Sequence, residues 1–431
     1  MKTDRTKLFT RIIRIVINVI YPIWLKRNAN SFCRSLYRCS TFVTRHIMRC
    51  EPLEVVSHEK YCAQTPASSF TVIKANRTGY CGNMVFNMSR DKQELIPVKM
   101  DDVRLYEHHD VYVCGHSDVV VDEGKKTGIN DFCYNKEDRL AYGDRFCLGQ
   151  KGNMLLNKAL DYKGAKRIKR GILISGLYSH NYYHAVLDNL IRLLVVNDEM
   201  IDRDAVYIVD ENTMKIPSLC TIFKTLTKGK ERDIVILKVR ELLHCETLYY
   251  ISHLNHIITN MNDWSKCQYS DYTFDTDYLS QMRTALLEVK SKGGPYPRRI
   301  FVSRKNMTRR RYNEDDVLNE LRRYGFEPIS PEEYSFEEQM AIFNNADFII
   351  GSSGAAMTNL LFCKSKTKVL IILRNKGKDS DFPTLAYMNG CDCRYYCAIE
   401  QPAIKGSSGV YSVDTVAFMN CFHLLNSDEI Q

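Results

Sequence analysis

Residues 346–362 read ADFIIGSSGAAMTNLLF, and this stretch decides the fold class. The apolar run at 347–350 predicts a buried strand, and the run at 355–362 predicts a helix. Between them lies Gly-Ser-Ser-Gly at 351–354, where glycine allows a tight turn and backbone N–H groups can face a ligand. A helix that opens at such a turn favours an anion, so a phosphate group is the natural occupant. An ordinary strand-to-helix turn is the alternative.

Strands and helices alternate on both sides of this stretch. Ser335 with Glu338 forms a capping box, and Gly325 can end a helix. The sequence predicts strands at 300–303, 326–329, 369–373 and 395–399, and helices at 313–324, 335–345, 383–388 and after Asp414. Such alternation indicates a parallel sheet covered on both faces, with ligands at the carboxyl ends of its strands.

A second alternating segment lies nearer the N-terminus. It contains predicted strands at 170–176, 205–209 and 233–238 and a predicted helix at 181–196. Residues 51–165 show only short β-like pieces, and the best linker is KSKGGPYP at 290–297. We therefore expect an α/β protein with one domain at 51–292 and another at 293–431.

The positive charge of the chain is concentrated at its N-terminus. The formal net charge is +9, and the first 50 residues contain eleven basic residues against a single acidic one, Asp4. Charges in the rest of the chain nearly cancel. The charge distribution disfavours a protein that binds nucleic acid over its whole surface and favours a basic arm that binds an anionic partner.

The arm at 1–50 is amphipathic. Residues 7–21 place Lys7, Arg11 and Arg14 opposite an isoleucine-rich face, and a second basic helix follows them. Such helices predict attachment to an anionic membrane surface. A membrane span is disfavoured, because each arginine near the bilayer centre costs about 2.5–3.5 kcal/mol. A helical hairpin packed on the protein body is the alternative.

No metal site is predicted. The chain has sixteen cysteines and no C-x-x-C pair, which favours free thiols in a reducing cytosol. Cys391, Cys393 and Cys397 are more consistent with small buried side chains than with a zinc site. Asp275 and Asp277 spell D-x-D, a metal-binding motif elsewhere, but here the first aspartate is better placed to cap a helix.

Two further groups of residues could carry chemistry. Seven cations surround the strand at 300–303: Arg298, Arg299, Arg304, Lys305, Arg309, Arg310 and Arg311. Arginine forks match phosphate oxygens, although a solvated basic edge would look the same. On a regular helix His184, Asp188 and Arg192 share one face, and an imidazole beside a carboxylate can act as a general base. An ordinary surface ion pair is the alternative.

Five motifs make the chain similar to glycosyltransferase family 61. They are GLYSHNYYHAVLDNLIRL at 176–193, RRIFVSR at 298–304, YGFEPI at 324–329, SFEEQ at 335–339 and the stretch at 346–362. The resemblance covers about residues 170–375 in the order found in the family. It implies a GT-B fold, with two Rossmann-like domains facing a cleft, and inverting, metal-independent transfer from a nucleotide sugar.

The resemblance also implies roles for individual residues. The domain at 51–292 would bind the acceptor and that at 293–431 the donor. His180, His184 and Asp188 would be catalytic. The implied donor-binding residues are Asn181, Arg304, Gly351, Ser352, Ser353, Gly354, Ala355, Thr358 and Asn359.

The chain departs from the family pattern at three positions. Ser353 replaces a histidine, Ala356 replaces a glycine, and Ala185 stands where tryptophan is common. The loss of an imidazole from the phosphate rim would weaken the donor site, change the donor or mark an inactive member.

The sequence therefore predicts a bacterial glycosyltransferase that uses a nucleotide sugar, a UDP-sugar, and needs no metal or other cofactor. Its acceptor would be a polysaccharide or lipid-linked glycan, as in capsule synthesis, and its partner an anionic membrane surface rather than nucleic acid. It would lie in the cytoplasm, peripheral on the inner face of the cell membrane. The alternatives are a non-catalytic nucleotide-sugar-binding scaffold, a nucleic-acid binder that uses the basic arm, and a luminal enzyme with a true membrane span.

Overall fold

A computed structural model of the chain describes most residues from Cys50 onward and a few in the arm. The described ranges are 15–16, 18–20, 22–23, 35–36, 39, 50–86, 91–131, 147–158, 160–258, 267–289, 294–306, 312–374, 381–400 and 411–427. Within them the chain is mixed α/β, as predicted.

The larger sheet has eleven strands and mixed directions. Its strand order is β12-β11-β10-β13-β5-β6-β7-β1-β9-β8, with β2 paired to β5. The first four of these are parallel, and β5 runs antiparallel to β13. The fifteen strands before residue 290 are β1 Cys50–Val56, β2 Ser69–Lys74, β3 Arg77–Gly82, β4 Leu95–Met100, β5 Val103–Cys114, β6 Val120–Asp122, β7 Thr127–Ile129, β8 Cys147–Lys151, β9 Met154–Lys158, β10 Lys166–Leu173, β11 Val206–Asp210, β12 Ile234–Leu237, β13 Leu242–Ile251, β14 His256–Ile257 and β15 Tyr272–Thr273.

The second main sheet has five parallel strands in the order β17-β16-β18-β19-β20. The strands after residue 290 are β16 Arg299–Val302, β17 Glu327–Ile329, β18 Phe348–Ser352, β19 Lys368–Leu373, β20 Asp392–Cys397, β21 Ile399–Glu400 and β22 Tyr411–Ser412. The parallel sheet predicted from the alternation is confirmed.

Helices connect and cover the strands. They are His58–Gln64, Tyr182–His184 (continued by a π turn at Ala185–Asn189 and 3-10 turns at Leu190–Val195), Glu211–Lys215, Pro217–Leu226, Tyr269–Asp271, Thr276–Leu287, Glu314–Arg322, Pro331–Glu333, Phe336–Asn345, Ala355–Phe362, Asp381–Tyr387 and Thr415–Asn426. The predicted helix at 355–362 is present as a 3-10 helix.

Local signals in the sequence set several helix ends. Ser335 and Glu338 form the predicted capping box, with both side-chain-to-backbone hydrogen bonds present. Gly325 adopts φ +77°, the left-handed conformation expected just beyond a helix. Asn313 precedes the helix Glu314–Arg322 as predicted, but its side chain binds Asp316 and Val413 instead of capping the helix.

The five-stranded sheet is buried on both faces. Along β18, Phe348 and Ile350 pack into one apolar cluster and Ile349 into the other. The cluster around Ile349 also contains Ile172 of β10, so apolar packing is continuous between the two main sheets. This common core fixes the carboxyl ends of β10 and β18 relative to each other.

Most of the N-terminal arm lies outside the described residues. The described part includes helical residues on which Ile15 and Val19 are 56% and 60% exposed, whereas Ile20 is buried. In the described part of the chain, no helix combines the length and the apolarity needed to cross a bilayer. Membrane attachment through the arm stays a prediction.

Two histidines are buried between β5 and the helix His58–Gln64. The Nδ1 atom of His58 lies 2.7 Å from Nε2 of His108, and neither residue is exposed to solvent. The His58 ring stacks on Tyr250 with 3.9 Å between ring centroids, and the His58 backbone N–H donates to Asp131. Burial lowers the pKa of both imidazoles well below 6.5, and the electrostatic effect of neighbouring basic side chains adds to this: His253 and Arg192 for His58, and His58 and His109 for His108.

We expect the free energy of unfolding to decrease as the pH falls below about 6.5. Both imidazoles remain neutral in the folded chain and take up protons when it unfolds, so two such groups give a slope of about 2.7 kcal/mol per pH unit. Replacing one of them, as in His108→Gln, should roughly halve that slope. Urea denaturation between about pH 7.5 and pH 5.5 measures it, and equal slopes for the parent and the variant would contradict the assignment.

Candidate active site

The smaller sheet reverses its strand order between β16 and β18. If the strands are numbered as they occur along the chain, they lie side by side in the order 2-1-3-4-5. Sheets of this kind bind ligands at the carboxyl ends of their strands, at the point where the order reverses. Val302 of β16 pairs with Gly351 of β18 at this point. Just beyond, the Arg304 guanidinium donates to the Ser353 carbonyl oxygen at 2.9 Å. The structure therefore brings the predicted arginine and the predicted glycine-serine loop together.

Arg304 is also held from the opposite side. The Glu314 carboxylate accepts hydrogen bonds from the Arg304 backbone N–H at 2.9 Å and from the Ser303 hydroxyl. Gly354 leaves room for the guanidinium, since a Cβ there would lie only 2.4 Å from Arg304 Nη1. A polar cavity of about 270 Å³ adjoins these groups, lined by Arg304, Lys305, Tyr312, Asn313, Glu314, Asp315 and Asp316.

The remaining loop residues are only partly available to a ligand. The Ser353 N–H donates to the Ile372 carbonyl, and Ser352 is buried with its hydroxyl 2.8 Å from that of Tyr411. Ser353 and Ala355 are half-buried. The helix Ala355–Phe362 begins directly after the loop, and the first N–H groups of any helix lack partners within it. An anion at the loop would therefore face the helix start and Arg304.

Thr358 and Asn359 lie deeper than the loop. Both are buried, and the Thr358 hydroxyl oxygen has no hydrogen-bond partner among the described residues. The Asn359 amide is engaged at both ends, because its oxygen accepts from the Tyr182 hydroxyl at 2.9 Å and its nitrogen donates to Gln339 at 3.1 Å. The contact between Tyr182 and Asn359 links the motif at 176–193 to the motif at 346–362.

The other half of the site follows β10. The Gly176 N–H donates to the carboxylate of Asp210, the last residue of β11, at 3.3 Å. Asn181 caps the next helix, with its side-chain oxygen accepting from the Tyr183 N–H at 3.0 Å. His180 is exposed between these residues, with its ring centroid 6.3 Å from that of His116. Asn181 thus shapes the helix start on which the predicted catalytic residues lie.

His184 and Asp188 form the predicted pair. The Nδ1 atom of His184 lies 2.7 Å from a carboxylate oxygen of Asp188, and the two side chains are 15% and 8% exposed. The rings of Tyr178 and Tyr183 lie 5.2 Å and 5.0 Å from the His184 ring. Because the carboxylate holds Nδ1, the Nε2 atom is the one that can take a proton from a ligand.

The prediction that Arg192 shares the face of His184 and Asp188 is wrong. The intervening segment is a π turn, in which the Leu190 N–H donates to Ala185, five residues earlier. This wider turn changes the helical spacing on which the prediction relied. Arg192 is completely buried, and its guanidinium donates to the Ser175 carbonyl at 3.0 Å.

The predicted basic cluster is dispersed. Arg298 forms two bonds to Asp347, and Arg299 binds Tyr324 and Asn426; both precede or begin β16 and so lie at its amino end. Arg309, Arg310 and Arg311 lie outside the described residues. Arg304 and Lys305 are the described cations that follow the carboxyl end of β16.

The D-x-D motif has the structural role predicted for it. Asp275 caps the helix Thr276–Leu287, and its carboxylate also pairs with Lys74 and Arg77.

Cys391 and Cys393 are buried, and burial raises the pKa of the Cys393 thiol. Over the described ranges, no group of three His, Cys, Asp or Glu side chains could hold a metal ion.

Four residues around the site were not predicted. Asp118 and His116 come from the segment before β6, Asp210 ends β11, and Glu314 supports Arg304. Only Asp210 had a usable signal, because a polar residue directly after a buried strand often faces a ligand site. Asp118 and His116 lie in a region whose sequence pattern is weak.

Comparisons with known proteins match part of the chain. Residues 182–370 match the sequence profile of the family described as Glycosyltransferase 61. The EGF domain-specific O-linked N-acetylglucosamine transferase of Drosophila melanogaster is 38% identical over 65 residues, which make up 14% of this chain. The matched segment covers only 12% of that relative.

The segment at 182–370 that is similar to glycosyltransferase 61 includes Arg304, the loop at 351–354 and the His184–Asp188 pair.

Gly176 permits a close approach that a larger residue would prevent. A Cβ at this position would lie 2.2 Å from the Asn189 side-chain oxygen and 2.4 Å from an Asp118 oxygen. We expect Gly176→Ala to lower the free energy of unfolding by about 1–3 kcal/mol, because two buried polar groups must move. Chemical denaturation measures the loss. Gly124→Ala is the control, since its nearest neighbour would be 3.4 Å away; equal losses in the two variants would refute the explanation.

Proposed function

We propose that the chain is an inverting, metal-independent glycosyltransferase that moves a sugar from a nucleotide-sugar donor to a glycan acceptor. One observation supports this most directly. Arg304 and the loop at 351–354 meet at the strand-order reversal of one sheet, and the His184–Asp188 pair follows a strand of the other. The contact between Tyr182 and Asn359 joins the helices that carry the two halves.

The donor diphosphate would lie against the smaller sheet. Arg304 supplies a positive charge, and the start of the helix Ala355–Phe362 supplies N–H groups and the positive end of its dipole. These groups stabilise negative charge that develops on the leaving diphosphate. Of the two D-x-D carboxylates, that of Asp275 is committed to a helix cap and to Lys74 and Arg77, and that of Asp277 pairs with Lys74, which is consistent with metal-independent transfer.

The acceptor hydroxyl would be activated from the larger sheet. His184 Nε2 takes the hydroxyl proton, while Asp188 holds Nδ1 and stabilises the imidazolium that forms. The acceptor oxygen bonds to the anomeric carbon from the face opposite the diphosphate. The bond between that carbon and the phosphate oxygen breaks with both electrons on the leaving oxygen, so the configuration inverts.

The acceptor in this proposal is a polysaccharide or lipid-linked glycan, as in capsule or surface polysaccharide synthesis. The arm at 1–50 places the enzyme on an anionic membrane at the cytosolic face. The donor is a UDP-sugar, and UDP-N-acetylglucosamine is the first to test because the Drosophila relative is named for N-acetylglucosamine transfer.

The deciding experiment is nucleotide release by the full-length chain from a panel of nucleotide sugars, with and without EDTA. Release from one donor, unaffected by EDTA, is expected. Loss of release in EDTA would refute metal independence. Binding of a donor without release, even with candidate glycan acceptors added, would favour the scaffold alternative that Ser353 suggests. No binding of any donor would refute the donor site.

A further inference from the structure

A buried carboxylate outside the family-matched segment lies beneath the catalytic motif. Asp118 lies between β5 and β6 and is 9% exposed. Its Oδ1 atom would be 2.4 Å from a Cβ on Gly176, so the carboxylate lies against the start of the loop that leads to His184. Asp118 therefore packs against the turn at which this motif begins.

Asp118 is part of a polar cluster rather than an isolated group. Asn189 lies on the other side of Gly176, and its oxygen accepts from the Arg192 guanidinium at 3.1 Å. Arg192 is completely buried and donates to the Ser175 carbonyl. A fully buried guanidinium is stabilised by negative charge nearby. The charge of the Asp118 carboxylate interacts with Arg192, although the two side chains form no direct ion pair.

The cluster also has unused hydrogen-bonding atoms. In the described part of the chain, Asp118 Oδ1, Asn189 Nδ2, the Arg192 Nε and Nη1 atoms and the Ser175 hydroxyl are buried without partners. Buried polar atoms normally have a protein or water partner. Their concentration near one loop indicates a buried polar cluster rather than an ordinary apolar core.

The charges around Asp118 include the catalytic pair. Burial raises the pKa of Asp118, His253 and Arg192 oppose that rise, and the negative charge of Asp188 adds to it. Asp188 is the residue that holds His184 at 2.7 Å. The charge on Asp118 therefore acts on the same carboxylate that orients the proposed base.

We infer that Asp118 is a positioning residue for the transfer reaction: packed against Gly176 beside Asn189 and near Arg192, it holds the turn at 176–177 and sets the charge beneath the His184–Asp188 pair. This inference rests on the proposed function. It extends the working site to a residue that the signature at 182–370 does not contain.

The test uses the full-length chain and the isosteric variant Asp118→Asn. We expect kcat for nucleotide release to fall by about tenfold or more, with the donor KM changed less than about threefold, because donor binding lies on the other sheet. Removing a negative charge near Asp188 makes protonation of the catalytic pair less favourable. The acidic limb of the pH–rate profile should therefore move to lower pH by about 0.5–1 unit.

Asp161→Asn is the matched control. Asp161 is exposed, and its carboxylate accepts the Gly164 N–H at 3.1 Å, so it resembles Asp118 in holding a turn at a glycine but lies outside the site. Its pH–rate profile and kcat should equal those of the parent. An Asp118→Asn variant with reduced kcat but an unshifted profile would reduce Asp118 to a structural residue and overturn the inference.

A second measurement does not depend on activity. Asp118→Asn removes a negative charge near the buried Arg192 guanidinium, so the Tm of the variant should fall by about 3 °C or more. The Arg192→Gln substitution should lower the Tm clearly less in the Asp118→Asn background than in the parent. Additive effects would overturn the electrostatic coupling of Asp118 and Arg192. If the parent releases no nucleotide, the proposed function fails, whereas this cycle still decides whether the two residues are coupled.

Discussion

Arg304→Ala should reduce nucleotide release by about 10²–10³-fold, the cost typical of removing one group that stabilises charge in a transition state. The guanidinium donates to Ser353 at the strand-order reversal, beside the start of the helix Ala355–Phe362. No other described cation bonds to this loop. UDP should also bind about tenfold or more weakly, because hydrogen bonds between charged groups contribute about 1.5–3 kcal/mol.

Steady-state release and calorimetric titration with UDP measure these two effects. Arg304→Lys should lie between the parent and Arg304→Ala, since it keeps the charge but loses the planar fork. Arg298→Ala is the control, because Arg298 is exposed and binds Asp347 at the amino end of the same sheet. Full turnover by Arg304→Ala would refute the donor site. Equal losses of nucleotide release in Arg304→Ala and Arg298→Ala would show that the effect comes from the loss of any positive charge rather than from the donor site.

His184→Gln should lower kcat by about 10²–10⁴-fold with little change in UDP affinity, the range expected for loss of a general base. Glutamine can still form a hydrogen bond to Asp188, but it cannot take the acceptor proton. Asp188→Asn should cost less, because it leaves the imidazole in place but removes the charge that holds Nδ1 at 2.7 Å.

The matched control is His109→Gln. His109 also faces a carboxylate, with its Nε2 atom 3.4 Å from Glu107, but it is about one-third exposed and lies on β5 away from the loop after β10. Turnover by this variant should equal that of the parent. A His184→Gln variant that retains kcat would exclude His184 as the base and leave exposed His180 as the alternative.

The alternating C-terminal half was predictable because its signals are local. Parallel strands buried on both faces are continuously apolar, as in β18 and β19, and the residues around them cap or end helices over three or four positions. The capping box at Ser335, the cap at Asp275 and the glycine at 325 formed as expected. Arg304 and the loop at 351–354 could be placed together, because the ends of parallel strands share one sheet edge.

Residues 50–131 were less predictable because the signals that determine their structure are not local. Their strands pair with distant partners, as when β5 pairs with β13 and β1 with β9, and such pairing leaves little local pattern. The His58–His108 pair and Asp118 come from this region, so neither the burial of these groups nor the place of Asp118 against Gly176 could be read from spacing.

The sequence by itself determined the α/β class, the parallel sheet at the C-terminal end and the presence of the motifs at 176–193 and 346–362, because periodicity, caps and turns act between neighbouring residues. Tertiary structure alone decided that Arg192 is buried after a π turn, that Tyr182 binds Asn359 and that Asp118 lies against Gly176. The Tyr182–Asn359 contact and the packing of Asp118 against Gly176 each join residues about 60 or more positions apart. The burial of Arg192 depends on a change of helical turn that the apolar spacing did not reveal. Contacts of this kind are set by packing, which the order of side chains along one segment does not record.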